Sequence, residues 1–241
     1  MNYRALTNLT VFKKNMKKSL LALATVLGFA FNASAQGGPG EDNGLGLRLN
    51  VGIPMGNYGI NQYVPFFGDM EYDYPVSGVS FGLTLDNRWY VWHNDKFGAA
   101  IQARWLDANF MTGELGVDIP FVENETLAEL TNIEGGLLGA GPMFTWYLND
   151  DMAIDAYYNF MPSVVYSMMK DPDAEDDDEG SESNMLGFGL AHHIGAAFRY
   201  KIFQAGLEYR IGKFEIEDVD LSSNKMDASM NSFRINLGFK F

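Results

Sequence analysis

The sequence predicts an all-β protein, an eight-stranded antiparallel up-and-down transmembrane β-barrel. Three observations carry this. Eight segments alternate apolar residues with polar or small ones, the connections alternate short and long, and aromatic residues crowd the short connections. No apolar run after residue 35 approaches the ~20 residues of a membrane helix, so a helical membrane protein is excluded. A strand crosses hydrocarbon only when every backbone N–H and C=O is paired, which requires a closed barrel. A soluble β-sandwich is the competing fold, since its strands also alternate.

Residues 1–35 read as a signal peptide. Lys13, Lys14, Lys17 and Lys18 form a basic region, Leu20 to Phe31 an apolar one, and Ala33-Ser34-Ala35 a cleavage site. Met16 opens a compact signal and is the expected start. Residues 36–44 form a short periplasmic segment, and 45–241 the barrel. Removing 1–35 takes five of the 17 basic residues and none of the 31 acids, so the excess negative charge grows from 14 to 19. That surface repels nucleic acid. With no cysteine there is no disulfide, thiolate metal site or lipoprotein anchor.

The first strand, Leu45 to Ile53, shows Leu45, Leu47, Leu49, Val51 and Ile53 on one face. The second runs Val76 to Trp92, the third Phe97 to about Phe110, and the fourth Gly136 to Leu148. The fifth is Met152 to Tyr166, the sixth Met185 to Tyr200, and the seventh Ile202 to Gly212. The eighth runs from about Ser229 to Phe241, where Phe233, Ile235, Leu237, Phe239 and Phe241 face one way. Short connections are His93 to Lys96, Asn149 to Asp151, and a Tyr200-Lys201 turn; long ones are 54–75, 112–134, 167–184 and 213–228. Outer-membrane barrels have short periplasmic turns and longer extracellular loops, so both termini are expected in the periplasm. Trp89, Trp92, Phe97, Trp146, Phe198, Tyr200, Phe203, Phe239 and Phe241 form an interfacial girdle at that rim. Pro142, Pro162 and His192 oppose the pattern, because each falls on the apolar face.

On this alternation, girdle, loop asymmetry and Phe241 ending, residues 45–241 resemble the small OmpA/OmpX-type outer-membrane barrels, especially the short barrels of the Bacteroidetes type. The resemblance implies a Gram-negative cell-envelope location. It also implies that the Phe241-terminated strand is read by the barrel-assembly machinery. It is nearly silent on activity.

The inward face carries the chemistry. Glycines there make room for large side chains in a bore that only side chains fill. Arg48, Arg88, Arg104, Arg199, Arg210 and Arg234 all point inward by parity, with the acids Asp86, Asp155 and Glu208. Guanidinium suits buried pairing better than ammonium. The Tyr200-Lys201 hairpin sets Glu208 opposite His193, Asp86 lies diagonal to Arg104, and Arg234 stands level with Glu208. Such a network plugs the barrel. The alternative is a narrow anion-preferring or small-solute channel, because inward bases outnumber inward acids.

Outside the strands, Asp171, Asp173, Glu175 and Glu182 occupy EF-hand-like offsets in an acidic loop. The glycine needed at the sixth offset is Asp176, so a weak Ca²⁺ site competes with a solvated loop. Tyr58, Tyr63, Phe66, Phe67, Tyr72 and Tyr74 in 54–75 would contact a protein or glycan, or pack over the barrel mouth. None of His93, His192 and His193 sits at the outer rim beside a serine with an orienting acid, so no enzyme is expected. The expected role is structural or surface interaction: envelope integrity, adhesion, or an accessory subunit of a larger complex.

Overall fold

The computed structural model describes residues 44–64, 68–117, 125–170, 182–218 and 225–241; the expected signal peptide lies outside them. Ten strands form: β1 Gly44–Pro54, β2 Asn57–Val64, β3 Gly68–His93, β4 Phe97–Val117, β5 Glu125–Tyr147, β6 Met152–Lys170, β7 Glu182–Tyr200, β8 Phe203–Asp218, β9 Lys225–Ser229 and β10 Ser232–Lys240. All pairings are antiparallel, and the ring closes through the β1–β3 and β1–β10 ladders. β2 continues the stave begun by β1, beyond a break at Met55–Gly56. β9 and β10 make another stave, broken at Met230–Asn231. Ten strands therefore make eight staves of an up-and-down barrel.

Ladder partners run from Leu49 through Leu83, Ala108, Gly135, Val164, Phe188, Glu215 and Asp227 to Gly59, ten residues further along the first stave. That stagger corresponds to strands tilted by about 40°. Along β10 the apolar face from Phe233 to Phe241 then stands roughly 20 Å tall, and the longer face of β4 roughly 30 Å, bracketing the ~25 Å band of such barrels. The aromatic girdle is exposed at the lower rim, where Phe203 packs on Phe239 at 5.3 Å and Phe97 on Phe144 at 5.6 Å.

Three of the four long connections are mostly strand, and the described residues of the fourth, 167–170 and 182–184, are strand as well. Most staves continue upward with their polarity reversed. The outward face changes from apolar to polar between Met55 and Asn57, Phe110 and Thr112, Ile133 and Thr131, Leu186 and Asn184, and Ile211 and Lys213. Inside, charged side chains give way to Tyr58, Val76, Leu115, Leu130, Val165, Met185, Phe214 and Ile216, packed as one buried cluster. The lower half is apolar outside and polar inside, as hydrocarbon demands. The upper half has the ordinary arrangement of a barrel in water. Reading loops from polarity stops each strand where its solvent changes.

Local irregularities correct three details. In β4, Trp105 is an extra residue: Leu85 pairs with Leu106 and Asp86 with Arg104. Above this bulge the parity flips and turns Asp107 and Asn109 inward. Asp86 is consequently opposite Arg104 rather than diagonal to it. In β5 the register to β6 shifts between Gly136 and Ala140, where Leu138 has φ 59° and both Leu137 and Leu138 face out. Pro142 and Pro162 border this irregular stretch, which relieves the ladder of regular donors there. The β7–β8 turn is Lys201-Ile202, with Lys201 at φ 54° and Tyr200 paired to Phe203. Moving the turn by one residue moves the register by two, so His193 pairs with Arg210 and Gly195 with Glu208.

The reversal predicts opposite tolerance to one substitution. Leu237→Arg, on the belt of the membrane half, should destabilise the barrel by about 2–4 kcal/mol in urea unfolding from lipid vesicles. Thr112→Arg, outward on the upper half, should stay within about 0.5 kcal/mol of the parent.

Candidate functional site

The ten residues singled out inside the barrel are all buried. Alternation turns them inward, and inward glycines leave them space; a Cβ at Gly46 would meet the Asp86 carboxylate at 2.6 Å, and one at Gly195 the Tyr157 ring at 2.5 Å. They stack in three levels.

The lowest level centres on Asp155 of β6. It accepts from Arg88 Nη1 at 2.8 Å, from Arg199 Nε at 2.6 Å and Nη2 at 3.1 Å, and from Thr145 Oγ1 at 2.7 Å. Arg88 also donates to Gln204.

Glu208 of β8 organises the middle level. Arg104 binds it as a fork, Nη1 at 3.2 Å and Nη2 at 2.6 Å, the geometry that gives guanidinium–carboxylate pairs their strength. The Tyr157 hydroxyl donates at 3.0 Å, His193 Nδ1 lies 3.0 Å away, and Arg234 Nη1 3.6 Å. Asp107 accepts from Arg234 Nη1 at 3.0 Å and from Thr84 Oγ1 at 3.1 Å. Asp86 pairs with Arg48 at 2.6 Å, although Arg104 is its ladder neighbour. Arg48 lies over the Tyr157 ring at 5.2 Å. The expected His193–Glu208 contact thus forms diagonally rather than across the ladder, and Arg234 and Glu208 are direct ladder partners.

On the top level Arg210 pairs with Glu134 and donates to the Met230 carbonyl. Above it lies a cavity of about 30 Å³ between the charged layers and the apolar cluster, lined by Asn109, Asn132, Glu134, Arg210 and Met230 among others. It has room for roughly two water molecules. Tyr58 closes it from above, its hydroxyl 3.1 Å from Asn132 Oδ1 and 2.9 Å from Ser167 Oγ. Burial pushes that phenol up to about 12, so it stays protonated.

Sequence parity misses Asp107 and Glu134. Asp107 is hidden by the Trp105 bulge, and Glu134 falls in a stretch that reads as a loop. With them the charge balance changes. Five buried acids face six arginines and Lys240. Arg199 and Lys240 lie by the short turns at the lower end. Each of the other five arginines has an acid of its own, Arg199 shares Asp155 with Arg88, and the excess of inward bases shrinks from three arginines to one. Asp107, His193 and Glu208 bring one ligand atom each within 4.8 Å of one another. Arg104 Nη1 stands 2.7 Å from His193 Nδ1, and Arg234 bridges the two carboxylates. Guanidinium groups hold the place a cation would take, and the trio is a node of ion pairs.

Other expectations fall elsewhere. Asp171, Asp173 and Glu175, and the side chain of Glu182, lie outside the described residues. Tyr58 is inside the barrel and Tyr74 packs partly buried against the same cluster; the side chains of Tyr63, Phe66, Phe67 and Tyr72 are outside the described set. His192 faces outward on the belt with no bulge in the β6–β7 ladder, and its Nδ1 is 2.7 Å from the Tyr158 hydroxyl.

A closed ring of eight staves, apolar without and charged within, defines an outer-membrane β-barrel. No protein-family model and no curated protein sequence matches the chain. Among solved structures it is similar to Ail, the attachment invasion locus protein of Yersinia pestis, at 12% identity and TM-score 0.39, over 82% of this chain and 99% of that one. It is similar to Neisserial surface protein A at 12% identity and TM-score 0.41, over 82% and 97%. It is also similar to the outer membrane protease OmpT from Escherichia coli at 8% identity and TM-score 0.42, over 84% and 98%. At such scores no role passes from these proteins to this chain.

The middle level yields a sharp energetic expectation. Glu208→Leu leaves Arg104 buried without its fork and should cost about 3–5 kcal/mol. The double variant Arg104→Met/Glu208→Leu should recover most of that loss. A double-mutant cycle by urea unfolding reads both, and additive losses would mean that the pair is not coupled.

Proposed function

We propose that this protein is a sealed outer-membrane barrel with a structural or surface-interaction role, in envelope integrity, adhesion, or as an accessory subunit. The observation that carries the reading is the double closure. An ion-paired polar plug fills the membrane half, and an apolar cluster fills the half above it. An ion would have to cross both a set of forked ion pairs and a dry core. The alternative reading, a narrow anion-preferring or small-solute channel, is weakened because Asp107 and Glu134 bring the inward acids to five against six arginines.

The orientation we adopt puts the short turns and both termini in the periplasm and the water-type half outside the cell. The external wall then displays Asp73, Glu114, Glu129, Glu215, Glu217 and Asp227 against Lys170 and Lys213. Protein or glycan partners would meet that wall and the segments above it, outer-membrane lipid the belt, and the barrel-assembly machinery the last strand. No catalysis is part of the proposal. Among the described residues none of the three histidines is hydrogen-bonded to a serine or threonine, and His193 is locked to Arg104 and Glu208. The acidic segment around Asp171, Asp173, Glu175 and Glu182 would bind Ca²⁺ weakly, at roughly millimolar concentration.

Planar bilayers test the core of this reading. The purified protein should show no sustained open level at moderate voltage, and a stable anion-selective conductance would reject it in favour of the channel. Calorimetric Ca²⁺ titration of the parent and of a variant with those four acids amidated should give weak heat that the variant loses.

A further inference from the structure

The outer wall carries one chemical anomaly. Tyr158, His192 and Tyr209 face outward on the neighbouring strands β6, β7 and β8. Ile194 is the ladder partner of both Tyr158 and Tyr209, and His192 is two positions above it. The group lies within the apolar belt, with Leu190, Phe188 and Ile211 above and Leu207, Ala156 and Ala196 below. Among the described residues His192 is the single histidine, acid, lysine or arginine on the belt between its rims. Asn87 is also on the outward parity but is buried, and its side chain takes the Arg88 N–H.

The Tyr158 hydroxyl and His192 Nδ1 share one hydrogen bond of 2.7 Å, and their rings stack at 5.9 Å. Whichever atom donates, Nε2 keeps a donor or an acceptor, and the Tyr209 hydroxyl adds another group of both kinds. Hydrocarbon satisfies neither. Polar side chains in a belt commonly mark contact with another membrane-embedded chain, especially beside small residues that let walls approach. Here Ala156, Ala196 and Ala205 are exposed lower on the same three strands.

We propose that the β6–β8 face binds a second copy of this chain across a two-fold axis normal to the membrane, with His192 of each copy bonded to Tyr209 of the other. Such an axis joins groups only at equal depth. His192 and Tyr209 meet that condition, because the strand tilt lifts Tyr209 above its ladder partner Ile194 while His192 lies two positions above the same residue. The face therefore holds donor and acceptor at matched depth, which an isologous pair needs and a lipid tail does not use. It uses outward side chains and no strand of the β1–β10 ladder, so pairing leaves the ring intact.

The chain has no cysteine, so single cysteines report directly. Ala196→Cys should form a disulfide-linked dimer on mild oxidation in intact outer membranes, and Leu49→Cys, exposed on the far wall, should not. Adding His192→Phe to Ala196→Cys should lower the cross-linked fraction at least tenfold, while heat-modifiable gel migration shows that the barrel still folds. Equal cross-linking of the two single-cysteine proteins would overturn the proposal. So would an unchanged dimer yield in a folded His192→Phe variant.

Discussion

Hydrocarbon tolerates no unpaired backbone edge, and the rest of this molecule follows from the closure that this imposes. β1 must find β10 while also holding β3, and the ten-residue stagger decides the tilt and the bore. A bore of that size cannot hold bulk water around charged groups. Its occupants must satisfy one another, and the network around Asp155, Glu208 and Asp107 does so. The arginines are suited to this by their flat, forked donors: Arg104 grips Glu208 with two nitrogens while Arg48 rides over Tyr157. An ammonium at either place would make a point contact and leave more of its charge uncompensated.

The same closed wall then leaves the membrane without changing its ladder. Only the side chains respond to the new solvent. Ile211 and Lys213 are successive outward residues of β8; Arg210 and Phe214 are inward residues of the same strand. The crossing of these two switches marks the upper membrane boundary more sharply than either would alone. It also gives the upper half its own stabilisation by apolar burial, which a loop would lack, so that part of the barrel is a rigid display surface. The breaks at Met55–Gly56 and Met230–Asn231 fall at this boundary, where β1 gives way to β2 and β9 to β10.

Alternation alone makes most of the barrel legible in the amino-acid sequence. The eight staves, two of the three short turns, the girdle and all six inward arginines follow from a period of two. What alternation cannot show is an inserted residue. Trp105 reads as one more apolar residue on the outward face, yet it flips everything above it on β4 and delivers Asp107 to the centre of the network. The Lys201-Ile202 turn is hidden for a related reason. Its first residue takes a left-handed conformation that neither glycine nor asparagine advertises, so a turn placed one residue early puts the register two residues off. Glu134 is lost when a polar outward face is taken to mean a loop. Following the inward residues Leu130, Val165 and Ile216 instead carries the strands past that point.

The two hidden acids have a functional consequence, because without them the interior looks basic. An uncompensated positive bore would attract anions, and a channel would follow naturally. With Asp107 beside Arg234 and Glu134 beside Arg210, the attraction is already answered by the protein's own carboxylates. The pairs are also mutually dependent. Arg234 reaches both Asp107 and Glu208, and Arg104 reaches both as well. Removing Glu208 or Asp107 strands at least two arginines in a space that admits little water. Such coupling resists partial opening around Glu208 and Asp107, because no pair there can separate without disturbing its neighbours. The interior therefore acts as one structural unit, and the surface is left to meet the environment.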